Sequence, residues 1–382
     1  MTSRITVVAV FLAVLTPGLA GAFDLHGQVD LLVRDAMKAN GAVGVVMGIY
    51  KDGETQVLGY GEVVKGGGKQ PDGDTVYEVG SITKTFTGIL LAEQVLAGQM
   101  KLEAPVQDYL PANVRLPSVP GGPVTVRQLV THNGGFPHRP DNMQPYDPAN
   151  PYAKYTDEAL YTYLAAYKPA FKLGGYHYSN LGMGLAGHLV QRQTGQGYAE
   201  LVAARITGPL GMKDTGPVPT PDMQQRLAPG YSGKLQRIKP WDAAPAFAGA
   251  VGIRSTVNDL LKYTRANLSP DDSPLGRAIA LSHQKQGIRD QGKPIAIAWR
   301  MSANGQVLIH GGRTAGYRAW IAVMPSRQLG VVLLANGTAF KVVALGDKVF
   351  QTALRTLKGT ATGATPMTED PEPEGEEGEE GG

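Results

Sequence analysis

A serine and a lysine lie three residues apart in the segment YEVGSITKTF, residues 77–86. Residues at this spacing share a face of a helix, so Ser81 and Lys84 would point the same way. A serine hydroxyl is a weak nucleophile, and a lysine amine can activate it once burial or a nearby cation lowers the amine's pKa. At the first turn of a helix, free backbone N–H groups also favour developing negative charge. Taken alone, the spacing is a weak signal, because a helix-capping serine with a solvated lysine is the commoner arrangement.

A second segment with candidate chemistry is YHYSNLG, residues 176–182, just before a predicted helix. Alternation along an extended chain would place Tyr178 and Asn180 on one side and Ser179 on the other. A phenol can relay a proton, and a carboxamide can hold both a lysine amine and a substrate amide. The alternative is a loop tyrosine followed by an asparagine cap.

The third segment is LIHGGRTAGY, residues 308–317, where a predicted strand ends in His310, Gly311 and Gly312. Glycine in a strand allows another backbone or a ligand to come close. Such a strand could bind an extended substrate through main-chain hydrogen bonds. The alternative is a strand-to-turn junction with an incidental histidine.

Strand patterns occur near both ends of the chain, and helical patterns lie between them. Hairpins are predicted around Asp52-Gly53, around Asn304-Gly305 and around PSRQ within 317–337. Helical periodicity and capping residues predict helices over 80–100, 124–135, 156–167, 180–195, 198–211 and 342–357. The simplest α+β arrangement is one antiparallel sheet built from both chain ends, flanked by helices, with a mostly helical region inserted.

Composition divides the 382 residues into three parts. Residues 1–22 are typical of a signal peptide, with a basic start, an apolar run at 5–15 that is shorter than the roughly 20 residues of a membrane span, and AGA before a cleavage site. Residues 359–382 are predicted to be a disordered acidic tail. Residues 23–358 would form one domain, with an α/β part (23–92 and 245–358) and a helical part (93–244).

The composition also excludes several functions. The absence of cysteine excludes disulfides, cysteine catalysis and cysteine–metal sites. The histidines lack a metal-ligand spacing such as H-E-x-x-H. No dense Lys/Arg block interleaved with aromatics indicates nucleic-acid binding. Setting aside the eight acids of the tail leaves 36 basic against 25 acidic residues, which favours anionic partners.

In this order and at these spacings, the S-x-x-K, Y-x-N and H-x-G segments resemble the penicillin-recognising serine hydrolases. Within that superfamily the chain is similar to the class C β-lactamase and D-alanyl-D-alanine carboxypeptidase branch, and so to the β-lactamase-like fold. The similarity runs from about residue 28 to 357. Supporting segments are GSITKTFTG (80–88), LVTHNGGFP (129–137), YSNLG (178–182), GPLGMKDT (208–215) and AGAVGIRSTVNDL (248–260).

The resemblance implies a role for each catalytic candidate. Ser81 would be the acylated nucleophile, Lys84 its partner amine, and Tyr178 a group that assists proton transfer. An acyl-enzyme would form, and water would then release it. The resemblance implies no metal and no organic cofactor. Whether Lys84 or Tyr178 is the general base stays open.

The resemblance also implies substrate-binding residues. Asn180 would hold both the substrate amide and the Lys84 amine. The strand carrying His310, Gly311 and Gly312 would line the substrate. The backbone N–H of Arg313, with that of the nucleophile, would form the oxyanion hole.

The third motif differs from the Lys-Thr-Gly that is usual in β-lactamases of this branch. His-Gly-Gly is similar instead to some D-alanyl-D-alanine peptidases and D-aminopeptidases. The missing positive charge would have to come from a protonated His310, or from Arg313, Lys341 or Arg139.

We therefore expect a periplasmic or secreted monomeric serine hydrolase. Its substrate would be a small-molecule β-lactam or a peptidoglycan-like peptide with a D-alanyl-D-alanine bond. It would bind no nucleic acid and would keep no membrane span after signal removal. The alternatives are an esterase or D-aminopeptidase of the same fold, and a penicillin-binding sensor without turnover.

Overall fold

The structure is a computed structural model that describes residues 23–117, 119–143, 146–242 and 244–357. The predicted signal peptide (1–22) and acidic tail (359–382) lie outside these residues. Over the described ranges the helices are α1 (His26–Asn40), α2 (Thr83–Leu96), α3 (Val126–Val130), α4 (Asp157–Ala165), α5 (Asn180–Thr194), α6 (Tyr198–Val202), α7 (Pro221–Arg226), α8 (Pro245–Val251), α9 (Val257–Leu268), α10 (Pro274–Ser282) and α11 (Val342–Thr356). The strands are β1 (Gly44–Lys51), β2 (Glu54–Gly61), β3 (Tyr77–Glu78), β4 (Gly230–Tyr231), β5 (Arg237–Ile238), β6 (Arg254–Ser255), β7 (Gly287–Ile288), β8 (Pro294–Ile295), β9 (Arg300–Met301), β10 (Leu308–Arg313), β11 (Arg318–Met324) and β12 (Leu329–Ala335).

Eight of the described strands form one antiparallel sheet, in the order β2-β1-β12-β11-β10-β9-β8-β7. The first hairpin turns at Asp52 and Gly53, which both have positive φ, as the sequence predicted. The strand β1 then pairs with β12, with Val45 opposite Ala335. Strands from both chain ends therefore share one sheet, which confirms the predicted α+β architecture.

Both faces of the sheet are buried because side chains alternate along its central strands. On β11, Trp320 and Ala322 face the layer formed by α1 and α11, whereas Ile321 and Val323 face the larger helical layer. The ring of Phe350 on α11 meets Trp320 edge-on at 6.4 Å. Each large apolar side chain buried in this way stabilises the fold by about 1.5–3 kcal/mol.

The larger helical layer brings the ends of three helices together. Helices α5 and α8 cross so closely that a Cβ on Gly187 would lie 3.0 Å from Cα of Gly249. Both helices also pack against α2. This crossing places the start of α5 and the end of α8 beside the start of α2. No helix in the described ranges is long and apolar enough to cross a bilayer.

Three predicted helices differ in extent from the sequence expectation. The helix expected over 124–135 is the short α3, which ends at Val130 rather than at the glycine pair. The helix expected to begin at Ser81 begins as α2 at Thr83, after a 3-10 turn over Gly80–Ile82. The helix expected over 198–211 ends at Val202 and continues only as a wider π-helical turn, Ala203–Thr207. Helix α4 agrees with its prediction, because Thr156 caps it by accepting from the Ala159 N–H.

Candidate active site

Ser81 and Lys84 lie together in a buried position at the start of α2. Ser81 is in the 3-10 turn and Lys84 is in the first turn of the α-helix. The Nζ atom of Lys84 lies 2.8 Å from Oγ of Ser81, within hydrogen-bond distance. Ser81 is 3% exposed and Lys84 is fully buried. The solvated lysine of the alternative interpretation is therefore wrong.

The amine of Lys84 has two further partners, each from another helix. Oδ1 of Asn180, at the start of α5, accepts from Nζ at 2.7 Å. The carbonyl oxygen of Ala250, near the end of α8, accepts at 3.0 Å. These three contacts equal the three N–H bonds of an ammonium group, so a protonated Lys84 is fully satisfied.

The same geometry also suits a neutral amine. Asn180 and Ala250 offer only acceptor oxygens here, and a neutral amine retains two N–H bonds for them. Its lone pair then points to Ser81, whose hydroxyl can donate as well as accept. The site can therefore pass a proton between Ser81 and Lys84 without losing the two outer hydrogen bonds.

Asn180 is itself held by groups inside the protein. Its Nδ2 donates to the hydroxyl of Tyr152 at 2.8 Å and to Nε2 of His138 at 3.1 Å. The preceding Ser179 caps α5 by accepting from the Gly182 N–H at 2.8 Å. Both amide N–H bonds of Asn180 are thus used, so a substrate carbonyl can bind there only by replacing Tyr152 or His138.

The ring of Tyr178 lies among positively charged and histidine side chains. Nζ of Lys84 is 4.9 Å from its centroid, and the guanidinium carbon of Arg300 is 5.2 Å away. The His132 ring packs on it at 4.5 Å between centroids. Cations at these distances interact favourably with an aromatic ring and more strongly with a phenolate.

His310 of the third motif is buried on β10 and is neutral. Its Nδ1 lies 2.6 Å from the Gly311 carbonyl oxygen, which can only accept, so Nδ1 carries the hydrogen. Burial, and then the charges of Arg300 and Lys84, hold the pKa of His310 well below its ordinary value of 6.5. A protonated His310 therefore does not replace the missing lysine charge.

Gly312 on β10 and Gly80 in the 3-10 turn that holds Ser81 allow these two segments to lie close together. A Cβ on Gly312 would lie 2.0 Å from the Val79 carbonyl oxygen, and one on Gly80 would lie 2.6 Å from the Arg313 nitrogen. At Gly312, the close approach that glycine allows is made by the protein's own chain rather than by a ligand. It also places the backbone nitrogen of Arg313 next to the turn that holds Ser81.

Sequence reasoning missed two histidines that support the site. Nδ1 of His132 accepts from the Ser179 N–H at 3.2 Å, and Nε2 of His138 accepts from Asn180 at 3.1 Å. Burial, and then the charge of Lys84, lower the pKa of His138 to about 3 and that of His132 well below 6.5. Both lie in or beside LVTHNGGFP (129–137), a segment that supports the family resemblance. That resemblance was the signal from which their role could have been found.

Arg139 and Lys341 were also candidates for the missing positive charge of the third motif. The guanidinium of Arg139 packs on the Tyr146 ring at 4.7 Å and hydrogen-bonds its hydroxyl. Lys341 is exposed at the start of α11, in the layer on the other face of the sheet. Arg300 was missed, because it lies on a two-residue strand with no motif around it.

The fold and this buried serine–lysine pair define a serine hydrolase. The profile of the family described as Beta-lactamase matches residues 29–353. The chain belongs to the Beta-lactamase family, whose relatives include β-lactamases and D-alanyl-D-alanine carboxypeptidases, and it is an enzyme of that type. The resemblance noted from the three sequence segments is thereby confirmed.

Individual relatives carry both names. A Beta-lactamase of Pseudomonas fluorescens is 29% identical over 360 residues, covering 82% of this chain and 94% of the relative. The D-alanyl-D-alanine-carboxypeptidase/endopeptidase AmpH of Escherichia coli K12 is 28% identical over 346 residues, covering 83% and 86%. The solved structure of D-alanine carboxypeptidase AmpC from Burkholderia cenocepacia is 26% identical, with a TM-score of 0.73 over 87% of this chain and 99% of that one.

Proposed function

We propose that this protein is an exported serine hydrolase that forms an acyl-enzyme on Ser81 and hydrolyses β-lactams, D-alanyl-D-alanine peptide bonds or both. The observation that carries the proposal is the fully buried Lys84 amine, which bridges Ser81 Oγ and Asn180 Oδ1 at 2.8 and 2.7 Å. This arrangement satisfies the amine in both protonation states, as a repeated proton transfer requires.

Acylation begins when Oγ of Ser81 attacks the carbonyl carbon of the lactam or peptide bond. The serine proton moves to the Lys84 amine or to the Tyr178 oxygen. The backbone N–H groups of Ser81 and Arg313 stabilise the oxyanion that forms. The C–N bond then breaks, and the stored proton passes to the departing nitrogen.

Deacylation repeats these steps with water as the nucleophile. A water molecule attacks the Ser81 ester, and its proton passes to the same Lys84–Tyr178 pair. The ester C–O bond breaks, and Ser81 recovers a proton. Asn180 holds Lys84 throughout, and the strand carrying His310, Gly311 and Gly312 binds the substrate main chain.

One observation favours a second candidate, an esterase or D-aminopeptidase with the same nucleophile. A neutral His310 at the start of the third motif offers no charge for the carboxylate that β-lactams and D-alanyl-D-alanine peptides carry. Esters and D-amino-acid amides do not need that charge. A penicillin-binding sensor differs again, because its acyl-enzyme would persist.

Export is proposed from the sequence of residues 1–22. The mature body would be the single domain 23–358, and we expect a monomer. Mass spectrometry of the protein recovered from the periplasm or the culture medium tests both the removal of the leader and its position.

Intact-mass spectrometry of wild type and Ser81→Ala tests the chemistry. Each protein is mixed with a fluorescent penicillin, nitrocefin, a D-alanyl-D-alanine peptide, a short p-nitrophenyl ester and a D-amino-acid amide. Turnover of nitrocefin or the peptide, with a transient adduct on wild type alone, supports the proposal. Turnover of only the ester or the amide supports the second candidate. A long-lived penicillin adduct indicates a sensor, and equal activity of both proteins overturns the role of Ser81.

A further inference from the structure

Arg300 is a buried arginine beside the candidate active site, although no motif marks it. It lies on β9, where its backbone is paired with Ile309 of β10 and Ile295 of β8. It is 5% exposed. An arginine keeps its charge at any pH that the protein tolerates, so this position carries a permanent buried cation.

The guanidinium of Arg300 faces the groups that handle protons. Its central carbon lies 5.2 Å from the Tyr178 ring centroid, close to the 4.9 Å of Lys84 Nζ. It hydrogen-bonds the phenol of Tyr176. Among neighbouring charges, it contributes most to holding the pKa of His310 down. Arg300 therefore acts on both the second and the third motif.

Several titratable and charged groups surround Tyr178 and its neighbours. These groups are Lys84 on α2, His132 and His138 after α3, Tyr176, His177, Arg300, His310 on β10, Arg139 and Arg313 near His138, and Arg289 and Asp290 near Tyr176. His132, His138 and His310 have pKa values lowered by burial and are neutral near pH 7, and burial also lowers the pKa of His177. Arg289 and Asp290 act on Tyr176 with opposite signs.

Among these groups, Lys84 and Arg300 are the cations that lie against the Tyr178 ring. The charge of Lys84 changes when it accepts or passes on a proton, whereas that of Arg300 does not. A fixed positive charge favours a phenolate over a phenol and a neutral amine over an ammonium. It thus favours the proton-accepting form of the site, whichever of Lys84 and Tyr178 is the base.

We propose that Arg300 is a positioning residue whose fixed positive charge, set beside the Tyr178 ring, keeps the Lys84–Tyr178 pair ready to accept the Ser81 proton. The inference rests on the proposed function, because it concerns the proton transfers of that same site.

The pH dependence of kcat/KM tests the proposal, with the substrate that wild type turns over fastest. In Arg300→Met the acidic limb should move up by about one pH unit, because the fixed charge no longer opposes protonation. Below that limb kcat/KM should fall about tenfold. Arg300→Lys keeps a charge and should stay within a few-fold of wild type. Arg277→Met removes an exposed charge on α10 and should leave the profile unchanged.

The proposal would be overturned if the acidic limb did not shift in Arg300→Met. An equal shift in Arg300→Lys would also overturn it, because it would indicate that the shape of the arginine side chain matters and its charge does not. If Arg300→Met does not fold, Arg300→Gln takes its place.

A second measurement does not depend on turnover. Ultraviolet difference titration against Tyr178→Phe follows the ionisation of Tyr178, in the wild-type background and in Arg300→Met. Tyr178 should ionise at higher pH without Arg300, and an unchanged titration would contradict the role given to its charge. If none of the substrates is turned over, the proposed function fails, and this titration still tests Arg300.

Discussion

The Nζ atom of Lys84 lies 2.7 Å from Oδ1 of Asn180, 96 residues further along the chain. Lys84 belongs to α2 and Asn180 begins α5, so the contact depends on how these helices pack against α8. The position of the amine is therefore fixed by tertiary structure as well as by the spacing from Ser81.

Replacing Asn180 with alanine should lower kcat/KM about 10- to 100-fold. A hydrogen bond to a charged group is worth about 1.5–3 kcal/mol, and each 1.36 kcal/mol is a factor of ten. Steady-state kinetics of Asn180→Ala measure the loss. Asn142→Ala is the control, because Asn142 also bonds a carbonyl and a phenol (Ala159 and Tyr155) but lies outside the Lys84 network. Equal losses in both variants would contradict a specific role for Asn180.

Lys84→Arg should lower the rate of Ser81 acylation by about 100- to 10,000-fold, the usual contribution of a general base. Arginine keeps the charge but cannot release its proton, so it cannot accept one from Ser81. Intact-mass spectrometry over time measures adduct formation. Lys262→Arg, at a partly exposed lysine on α9 that pairs with Asp259, should acylate normally. Rapid acylation of Lys84→Arg would exclude Lys84 as the base and leave Tyr178.

Gly312→Ala should separate β10 from the serine turn. The new Cβ would lie 2.0 Å from the Val79 carbonyl oxygen, so the strand or the turn must move. Overpacking of this kind costs about 1–3 kcal/mol, and the shift should also move the Arg313 nitrogen away from Ser81. The thermal unfolding temperature and kcat should both decrease. Gly233→Ala, whose Cβ would meet only Ala339 at 3.7 Å, should change neither.

The buried histidines should make the protein less stable in mild acid. Burial lowers the pKa of His138 to about 3 and that of His283 to about 4, from 6.5. Between those values and 6.5 only the unfolded state binds the proton, so the free energy of unfolding falls as the pH drops below 6.5. The slope is up to about 1.4 kcal/mol per pH unit for each histidine.

Urea unfolding at pH 7 and pH 5 measures this effect. His138→Phe and His283→Phe should each reduce the difference in unfolding free energy between the two pH values. Only His138→Phe should also lower activity, because it removes the acceptor for Asn180 Nδ2. If neither variant changes the pH difference, other groups cause the acid instability.

Local patterns in the sequence predicted most of the fold and the centre of the site. The hairpin at Asp52-Gly53 follows from strand alternation and turn chemistry, and the pairing of Ser81 with Lys84 follows from helix geometry. Arg300 and His132 could not be assigned in this way, because strand and helix packing alone brings them to Tyr178. The 3-10 turn at Ser81 was missed for a similar reason, since the approach of β10 sets the backbone there.

The placement of β1 beside β12 has a consequence for synthesis. The Gly44 N–H donates to Oδ1 of Asn336, which is 292 residues later in the chain. Ser81 and Lys84 therefore leave the ribosome long before β10, β11 and β12 exist to complete the sheet. The nascent chain carries its nucleophile without Arg313 and without a closed core, so hydrolytic activity should begin only after most of the chain is made. An enzyme assembled in this order stays inactive while it is still unfolded.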